Sequence, residues 1–331
     1  MTEPDLAPTP TLTDVLAARD LLTGRLPATP MWSYPALDEV AGATVYVKHE
    51  NVQPTGAFKV RGGLTLLHGM ARERRRRGLV SYSTGNHAQS LAYACAELDV
   101  PCVLVMPAGV ADGKVRAVRA LGATVLLDGV DMAGAQAAAE RLAADEGRHL
   151  VSPGDTPELL AGVGTAYLEI FAARPDLDLL VVPVGSGTGA AAACLVAQEF
   201  APRCRIVAVQ SAAAPAAHDS WRAGECVRRP IGTAVEGLAT GRGFRLPQRL
   251  LRGRLSDFHL VSDERIAAAQ RLLALHAHTL AEGAGAAGLA AVLARPDLFA
   301  GRRVCVVCTG GNASAAEIAA LGAGDGNRTS G

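Results

Sequence analysis

Short runs of apolar, mostly β-branched residues alternate along this 331-residue chain with alanine-rich stretches of helical length. Apolar runs bounded by turn-forming residues predict buried strands, and the stretches between them predict helices. Strands separated by single helices are typical of βαβ units, whose parallel sheets carry helices on both faces. The chain is therefore predicted to belong to the α/β class, and the number of units indicates two sheets rather than one.

The runs also set the bounds of the predicted elements. We expect strands at residues 44–50, 78–84, 101–107, 123–128, 178–184, 205–210 and 302–310. We expect helices at residues 88–97, 113–121, 132–146 and 190–200. Residues 322–331 are glycine-rich and polar, which predicts a frayed end.

The charge of the chain excludes several classes of partner. Lys and Arg total 32 and Asp and Glu total 32, so the zero net charge gives no general attraction to nucleic acid or to an anionic membrane. The one dense basic run, residues 71–78, has no interleaved aromatic residues and is interpreted as a solvated helix end. No apolar run is long enough for a membrane span, and the N-terminus lacks the features of a signal peptide. We expect a soluble, cytoplasmic protein.

The seven cysteines are scattered, and their odd number fits reduced core thiols better than a disulfide framework. Cys305 and Cys308 form a lone C-x-x-C. Zinc or redox chemistry needs a second pair or a suitable turn, and neither is visible in the sequence. We interpret both cysteines as structural.

Lysine is scarce in this chain, and one lysine has an unusual setting. Lys48, Lys59 and Lys114 are the only three, and the other 29 basic residues are Arg. A lysine amine can lose its proton and form an imine, whereas a guanidinium stays protonated. Lys59 follows the small, turn-forming residues of P-T-G-A-F, at a predicted turn into a helix. This setting favours a chemical role for Lys59, while the other two lysines are interpreted as surface or helix-start charges.

A glycine-rich turn, G-S-G-T-G at residues 185–189, joins the strand at 178–184 to the helix at 190–200. Backbone N–H groups in such a turn, with a helix N-terminus behind them, suit a compact phosphate monoester. The turn also matches the dinucleotide fingerprint, which expects an acid about twenty residues further on. Here the next strand ends at Gln210, without an acid. A nicotinamide dinucleotide is therefore the weaker alternative, and a purely structural turn stays open on this stretch alone.

Pyridoxal phosphate would use both features, because it needs a lysine, a phosphate cradle and a partner for its ring nitrogen. P-T-G-A-F-K-V-R-G, residues 54–62, resembles the cofactor-lysine motif of fold type II pyridoxal-phosphate enzymes. The specific resemblance is to the threonine/serine dehydratase branch, which includes serine racemase. It extends from about residue 29 to residue 312. Further segments resemble the family in the same order: 83–89, 185–188, 235–239, 261–264, 282–287 and 309–312.

The resemblance implies a fold of two three-layer, open parallel-sheet domains with the cofactor cleft between them. It implies a large cofactor-binding domain made of residues 1–67 and 152–320, a small mobile domain at 68–151, and a flexible tail at 321–331. A homodimer is expected by analogy. The regulatory domain that is appended to biosynthetic threonine dehydratases is not expected here.

The resemblance also implies roles for single residues. Lys59 would form the Schiff base with pyridoxal phosphate and, once freed, remove the Cα proton, with a pKa lowered by burial. Thr84 is a candidate for a second acid or base on the opposite face. Cofactor binding is implied for Phe58, Lys59, Asn86, Gly185, Ser186, Gly187, Thr188, Gly189, Gly237 and Thr309. Substrate binding is implied for Ser83, Thr84, Gly85, Asn86, His87 and Thr240.

The implied reaction is the dehydration and deamination of a β-hydroxy amino acid, such as threonine or serine, to a 2-oxo acid and ammonia. Within the family, the alternatives are an amino-acid racemase and a dehydratase of 3-hydroxyaspartate or another unusual hydroxylated amino acid. An NAD-dependent oxidoreductase and a non-catalytic binding protein are alternatives from other classes. Cation-binding members of the family carry acids where Gln210 and Ala216 stand here. We therefore expect no divalent metal at that place.

Overall fold

A computed structural model describes residues 8–322 of the chain. Its strands are, in chain order, β1 (Met31–Ser33), β2 (Thr44–His49), β3 (Leu79–Tyr82), β4 (Cys102–Met106), β5 (Thr124–Leu127), β6 (His149–Val151), β7 (Leu179–Pro183), β8 (Arg205–Ser211), β9 (Asp257–Val261) and β10 (Arg303–Cys308). Its helices are α1 (Leu12–Leu22), α2 (Pro35–Ala41), α3 (Lys59–Gly69), α4 (Arg72–Arg77), α5 (Asn86–Glu97), α6 (Asp112–Ala120), α7 (Met132–Glu146), α8 (Pro157–Ala173), α9 (Thr188–Phe200), α10 (Ala216–Ala223), α11 (Arg245–Leu251), α12 (Asp263–His276), α13 (Gly283–Ala294), α14 (Pro296–Phe299) and α15 (Ala315–Gly322).

The chain forms two compact units, and neither of them is a continuous segment. Among the described residues, the first unit contains residues 8–27 together with Phe58–Thr165. The second unit contains Ala28–Ala57 together with residues 166–322. The chain therefore leaves the second unit between Ala57 and Phe58, inside the motif that carries Lys59.

The first unit is built on a parallel sheet with strand order β5-β4-β3-β6. Successive side chains of a strand point to opposite faces of the sheet. In β3, Leu79 packs in an apolar cluster with residues of α3 and α5, whereas Val80 and Tyr82 pack in a second cluster with residues of α7. The sheet is therefore the middle of three layers.

The second unit is built on a six-stranded sheet with order β1-β2-β10-β7-β8-β9. Only β1, at one edge, runs antiparallel to its neighbour β2. In β7, Leu179 and Val181 pack in a cluster with residues of α12 and α13. Leu180 and Val182 point to the other face of the sheet and are fully buried as well. Both faces are therefore covered, as a parallel sheet requires.

The two cysteines of the C-x-x-C sequence lie on β10 and are buried. They are three positions apart along the strand, with two residues between them, so their side chains point to opposite faces of the sheet. Cys308 belongs to the core cluster with α13, and the Sγ of Cys305 lies 3.7 Å from the Sδ of Met31. The two thiols do not converge on one point, which agrees with their interpretation as structural residues.

The predicted α/β class with two parallel sheets is confirmed. All seven predicted strands and all four predicted helices are present with nearly the same bounds. β1, β6 and β9 were not predicted, and the first two contain only three residues each, too few to show a periodicity. No helix among residues 8–322 has the length and apolarity needed to cross a bilayer.

The boundaries of the predicted domains differ from the boundaries of the two compact units. The large domain 1–67 with 152–320 and the small mobile domain 68–151 stay a prediction. Residues 323–331 of the predicted tail at 321–331 lie outside the described residues.

Candidate active site

Lys59 is the first residue of α3, and its side chain is half-buried. Its Nζ lies 5.1 Å from the centre of the Phe58 ring. Burial lowers the pKa of Lys59 from 10.5 to about 8, because the ammonium form loses its hydration. A substantial share of the amine is therefore unprotonated near neutral pH, which a nucleophile or a general base requires.

The turn just before Lys59 is built in the second unit by contact with the T-G-G-N segment. A Cβ on Gly56 would lie 2.5 Å from the Oδ1 of Asn312, and Gly56 has φ +69°, so only glycine fits. The Nδ2 of Asn312 donates a 2.9 Å hydrogen bond to the carbonyl of Thr55. The N–H of Gly311 donates to the carbonyl of Gly56 at 2.9 Å. Two motifs far apart in sequence thus shape one turn.

The helix that follows Lys59 is tied to the helix that follows the S-T-G-N-H loop, within the first unit. The Oγ of Ser90, on α5, donates a 2.6 Å hydrogen bond to the backbone carbonyl of Lys59. α5 begins at Asn86. The bond therefore fixes the first turn of α3 relative to the start of α5.

The loop before α5 presents polar groups at a helix N-terminus. Ser83, Thr84, Gly85 and Asn86 are half-buried, and His87 is buried. Within residues 8–322, the hydroxyl of Thr84 makes no hydrogen bond. The first N–H groups of a helix have no partner within the helix and carry a partial positive charge. An anion such as a carboxylate suits this place.

The glycine-rich turn lies in the second unit, between β7 and α9. A Cβ on Gly185 would lie 2.2 Å from the carbonyl oxygen of Gly237. Gly187 caps α9 with φ +92°, and a Cβ there would lie 2.9 Å from Pro247. A side chain at either position would collide with these neighbours, so the path of the turn requires glycine at both. The hydroxyls of Ser186 and Thr188 are 3.4 Å apart beside it.

A chain of hydrogen bonds ties the glycine-rich turn to α10. Thr240 donates from its Oγ1 to the carbonyl of Gly185 at 3.0 Å, and the Nε2 of Gln210 donates to this Oγ1 at 3.4 Å. The Oε1 of Gln210 accepts from the N–H groups of Ala217 and His218. Because two N–H donors face this oxygen, the amide can only be placed with its nitrogen towards Thr240. Gln210 is fully buried.

Asp263, the first residue of α12, fixes the segment that leads to Gly237. One oxygen of its carboxylate accepts from the Oγ of Ser211 at 2.6 Å. The carboxylate also accepts from the Oγ1 of Thr233 and from the N–H of Ala234. Residues 233–234 come just before the turn at Glu236–Leu238 that contains Gly237. The carboxylate therefore sets the path of the chain into that turn.

Thr309 follows the last residue of β10 and is 5% exposed. Its hydroxyl makes no hydrogen bond to any group of residues 8–322. A hydroxyl can both donate and accept, so this one is available to a ligand atom of either kind. It can bond a ring nitrogen without forcing that nitrogen to be protonated.

The structure brings the predicted site residues together in two groups, each within its own unit. Phe58, Lys59 and residues 83–87 belong to the first unit. The turn at 185–189 and Gly237, Thr240 and Thr309 belong to the second unit.

Three residues that shape these groups were missed in the sequence. Ser81 and Ser90 flank the 83–89 motif, and Asp263 lies in a matched segment but had no role assigned to it. Ser90 and Ser81 are fully buried, although serine is mostly an exposed residue. Burial is not visible in one sequence, so only the position of Ser90 one turn after Asn86 on a helix could have indicated its role.

The comparisons with known proteins agree with this geometry. The family of pyridoxal-phosphate dependent enzymes matches residues 22–310. An L-threonine ammonia-lyase of Geobacter sulfurreducens is 38% identical over 298 residues, 89% of this chain and 74% of that protein. A beta-hydroxyaspartate dehydratase of Paracoccus denitrificans is 32% identical over 92% of this chain and 96% of that protein. The structure of maize serine racemase is similar with a TM-score of 0.89 and 25% identity, covering 94% of this chain and 96% of that one.

The fold and the family match define the class of the protein as an α/β enzyme that uses pyridoxal phosphate. The chain belongs to the family of pyridoxal-phosphate dependent enzymes, in the fold type II branch of the threonine/serine dehydratases and serine racemase. The resemblance seen in the sequence and the predicted cofactor are thereby confirmed. The nicotinamide alternative has no support in these matches.

The residues present fit this cofactor. The amine of Lys59, with its lowered pKa, can form an imine with an aldehyde. The glycine-rich turn at 185–189 lies at the N-terminus of α9, a helix of 13 residues, which suits a phosphate. The open hydroxyl of Thr309 suits a pyridine nitrogen.

Proposed function

We propose that the protein is a pyridoxal-phosphate-dependent ammonia-lyase that converts a β-hydroxy amino acid, such as threonine or serine, into a 2-oxo acid and ammonia. The observation that carries this proposal is the amine of Lys59 at the start of α3, whose pKa is lowered to about 8 by desolvation. Relatives that are 31–38% identical over most of this chain are L-threonine ammonia-lyases or dehydratases.

Lys59 has two tasks in the proposed reaction. When bound, pyridoxal phosphate supplies an electron sink for the charge that develops at Cα. Lys59 would hold the cofactor through its Nζ, and the freed Nζ would take the proton from Cα of the substrate. A pKa near the working pH lets one group accept this proton and later release it.

The other predicted residues hold the cofactor and the substrate. The N–H groups and hydroxyls of residues 185–189 would bind the phosphate, Asn86 would bond the oxygen of the ring hydroxyl, and Thr309 would bond the ring nitrogen. Phe58 and Gly237 would pack against the ring. The loop 83–87 binds the substrate carboxylate at the N-terminus of α5, with Thr240 also close to the substrate.

Amino-acid racemisation is a second candidate activity, and the open hydroxyl of Thr84 favours it. A racemase needs an acid or base on the face of Cα opposite to Lys59. The Thr84 hydroxyl has no hydrogen-bond partner among residues 8–322, so it is available for proton transfer. Chiral analysis of residual serine during turnover measures this activity, and Thr84→Val should abolish it while leaving 2-oxo acid release.

Trapping the cofactor tests the assignment of Lys59. Borohydride reduction of the purified protein should fix pyridoxal phosphate on the peptide that contains Lys59, as read by mass spectrometry. Lys59→Ala should lose the trapped adduct and turnover, whereas Lys114→Ala should keep both. Release of 2-oxo acid over a panel of threonine, serine and 3-hydroxyaspartate identifies the substrate. Turnover by Lys59→Ala at the wild-type rate would reject the proposal.

We also propose that the protein is a homodimer that associates through the region of β1 in the second unit. Trp32, Val52 and Leu280 are large apolar residues that are 57, 58 and 44% exposed. The Trp32 ring contacts His49, whose Nδ1 faces the hydroxyl of Thr279, next to Leu280. Exposed apolar residues gathered in one place favour an interface. Sedimentation analysis should give a dimer for the wild type and a monomer for Trp32→Glu.

A cytoplasmic location is part of the same proposal. It is supported by the cysteines, none of which forms a disulfide in the part of the chain that the structure describes. Cysteines outside disulfides are typical of a reducing compartment. Cell fractionation of the host with an antibody to the protein tests this location.

A further inference from the structure

His87 is held by a short chain of hydrogen bonds inside the first unit. Its Nε2 lies 3.0 Å from the Oγ of Ser81, on β3. The same Oγ lies 2.6 Å from the carbonyl oxygen of Val151, on the neighbouring strand β6. Ser81 is fully buried and His87 is 5% exposed, so water does not compete for these groups.

The order of protons along this chain follows from chemistry. A carbonyl oxygen has no proton, so an oxygen–oxygen distance of 2.6 Å requires the Ser81 hydroxyl to donate to Val151. The hydroxyl has only one proton. It therefore accepts from His87, and the Nε2 of His87 must carry a hydrogen.

The imidazole of His87 is neutral at ordinary pH. Burial lowers the pKa of His87 from 6.5 to about 3, and the positive charge of Lys59 lowers it further in the same direction. A neutral ring with hydrogen on Nε2 has a lone pair on Nδ1. No group of residues 8–322 donates to this nitrogen. The Nδ1 of His87 is thus an acceptor that receives no hydrogen bond within the described residues, and His87 directly follows Asn86.

A substrate offers one donor that suits this acceptor. Its carboxylate has no proton, and its amine is used in the link to the cofactor. The β-hydroxyl remains. A hydrogen bond donated by this hydroxyl leaves its oxygen lone pairs free to receive the proton that a leaving water needs. A neutral Nδ1 has no proton to give, so His87 orients the leaving group and does not act as the acid.

We propose that Ser81 is a positioning residue that fixes His87 as the neutral Nε2–H tautomer. The Nδ1 of His87 then accepts a hydrogen bond from the β-hydroxyl of the substrate. This bond makes the site selective for hydroxy-amino acids. This role of Nδ1 rests on the proposed function. The tautomer itself does not, because it follows from contacts within the protein.

The tautomer is measured directly by nitrogen NMR of histidine-labelled, cofactor-free protein, with the signal of His87 assigned by its loss in His87→Asn. The wild type and Ser81→Thr should show a neutral ring protonated at Nε2 from pH 6 to 8. Ser81→Ala should lose this fixed state and show a mixture of tautomers. A wild-type ring that is charged, or protonated at Nδ1, would overturn the proposal even if the enzyme is active.

A pair of substrates tests the bond to the β-hydroxyl. Serine has a hydroxyl donor at Cβ, whereas β-chloroalanine has a leaving group with no proton. In His87→Gln, the amide nitrogen can keep the bond to Ser81, but nothing replaces Nδ1. This variant should lose about 10-fold in kcat/KM for serine relative to β-chloroalanine, the effect of one hydrogen bond. In His87→Asn, the amide oxygen can take the place of Nδ1, so the ratio should be closer to that of the wild type.

The outcomes separate the two claims. An equal loss for both substrates in His87→Gln, in protein with an unchanged urea midpoint, would show a purely structural role and reject the acceptor role of Nδ1. Ser81→Ala should shift the substrate ratio in the same direction as His87→Gln, and an unshifted ratio would reject the link between them. If the wild type released 2-oxo acid from neither substrate, the proposed function would fail, while the NMR result would still stand.

Discussion

Gly63 faces Ser90 so closely that a Cβ on residue 63 would lie 2.4 Å from the Oγ of Ser90 and 2.6 Å from its carbonyl oxygen. The neighbouring carbonyl of Lys59 accepts the hydrogen bond from that same Oγ. The position of Lys59 relative to α5 therefore depends on the absence of a side chain one turn later in α3.

Gly63→Ala tests this dependence. The added methyl group would push α3 away from α5 and break the bond between Ser90 and Lys59. We expect a loss of about 2 kcal/mol in the free energy of unfolding, since overpacking has costs of that order. Urea denaturation measures it, together with 2-oxo acid release, which should also fall.

Gly69→Ala is the matched control for this change. Gly69 is the last residue of α3, and no heavy atom lies within 4 Å of its virtual Cβ. An alanine there should leave stability unchanged or raise it by up to about 1 kcal/mol. Equal effects of the two substitutions would show that the close approach of the helices has no special importance.

Gly185→Ala should remove cofactor binding without unfolding the protein. Its Cβ would lie 2.2 Å from the carbonyl oxygen of Gly237, so the turn at 185–189 or the segment at Gly237 must move. We expect the affinity for pyridoxal phosphate to fall at least about 10-fold, because phosphate-binding N–H groups lose their arrangement. Equilibrium dialysis of the cofactor measures this affinity.

Gly113→Ala serves as the control for Gly185→Ala. Its virtual Cβ lies 4.0 Å from the nearest atom, which is the end of the Arg116 side chain. Cofactor affinity should match that of the wild type. A Gly185→Ala protein with unchanged affinity would contradict the assignment of this turn to the phosphate.

The burial of Lys59 predicts a pH-dependent stability for the cofactor-free protein. The pKa of Lys59 is about 8 in the folded protein and 10.5 as an exposed group. Below pH 8 both states are protonated, so the native state bears the full cost of a buried ammonium. Between these two values the unfolded chain binds more protons, and stability rises with pH.

Lys59→Met isolates this contribution. At pH 7 the variant should be more stable than the wild type by about 3 kcal/mol, which corresponds to the difference in pKa. The advantage should shrink as the pH rises through the interval from 8 to 10.5. Urea titrations of both cofactor-free proteins at pH 7 and pH 10 measure it. A difference that does not change with pH would contradict a lowered pKa of Lys59.

Asp263→Asn should weaken cofactor binding from a distance. The Asp263 carboxylate accepts hydrogen bonds from Ser211, Thr233 and Ala234, and an amide of the same shape replaces one acceptor oxygen by a donor. A buried donor that faces another donor costs about 2 kcal/mol. We expect lower stability and weaker binding of pyridoxal phosphate, measured by urea denaturation and dialysis.

The neighbouring residue provides the control for Asp263. Glu264 also lies in the first turn of α12, but its carboxylate faces solvent. Glu264→Gln should change neither stability nor cofactor affinity noticeably. Should it act like Asp263→Asn, the effect would come from the charge at the helix start and not from the path of residues 233–235.

The sequence predicted the parts of this molecule that depend on local pattern. The strands and the turns around Lys59 and Gly185 can be recognised from a few consecutive residues. The sheets could therefore be predicted from these segments, and the family and the cofactor from their resemblance to known motifs. The contacts of Ser81 with Val151 and of Asp263 with Thr233 join distant parts of the chain. Nothing local in a single serine or aspartate indicates which backbone it will meet, so these roles needed the structure.

The division of the chain at Ala57 and Phe58 also affects how the protein is made on the ribosome. β2 pairs with β10 along its whole length, and β10 is the last strand of the described chain to be synthesised. During translation β2 has only the short strand β1 as a neighbour in the sheet until nearly all the rest of the polypeptide has emerged. Such a delayed partner makes the nascent protein sensitive to aggregation and to the supply of chaperones, long before any substrate is bound.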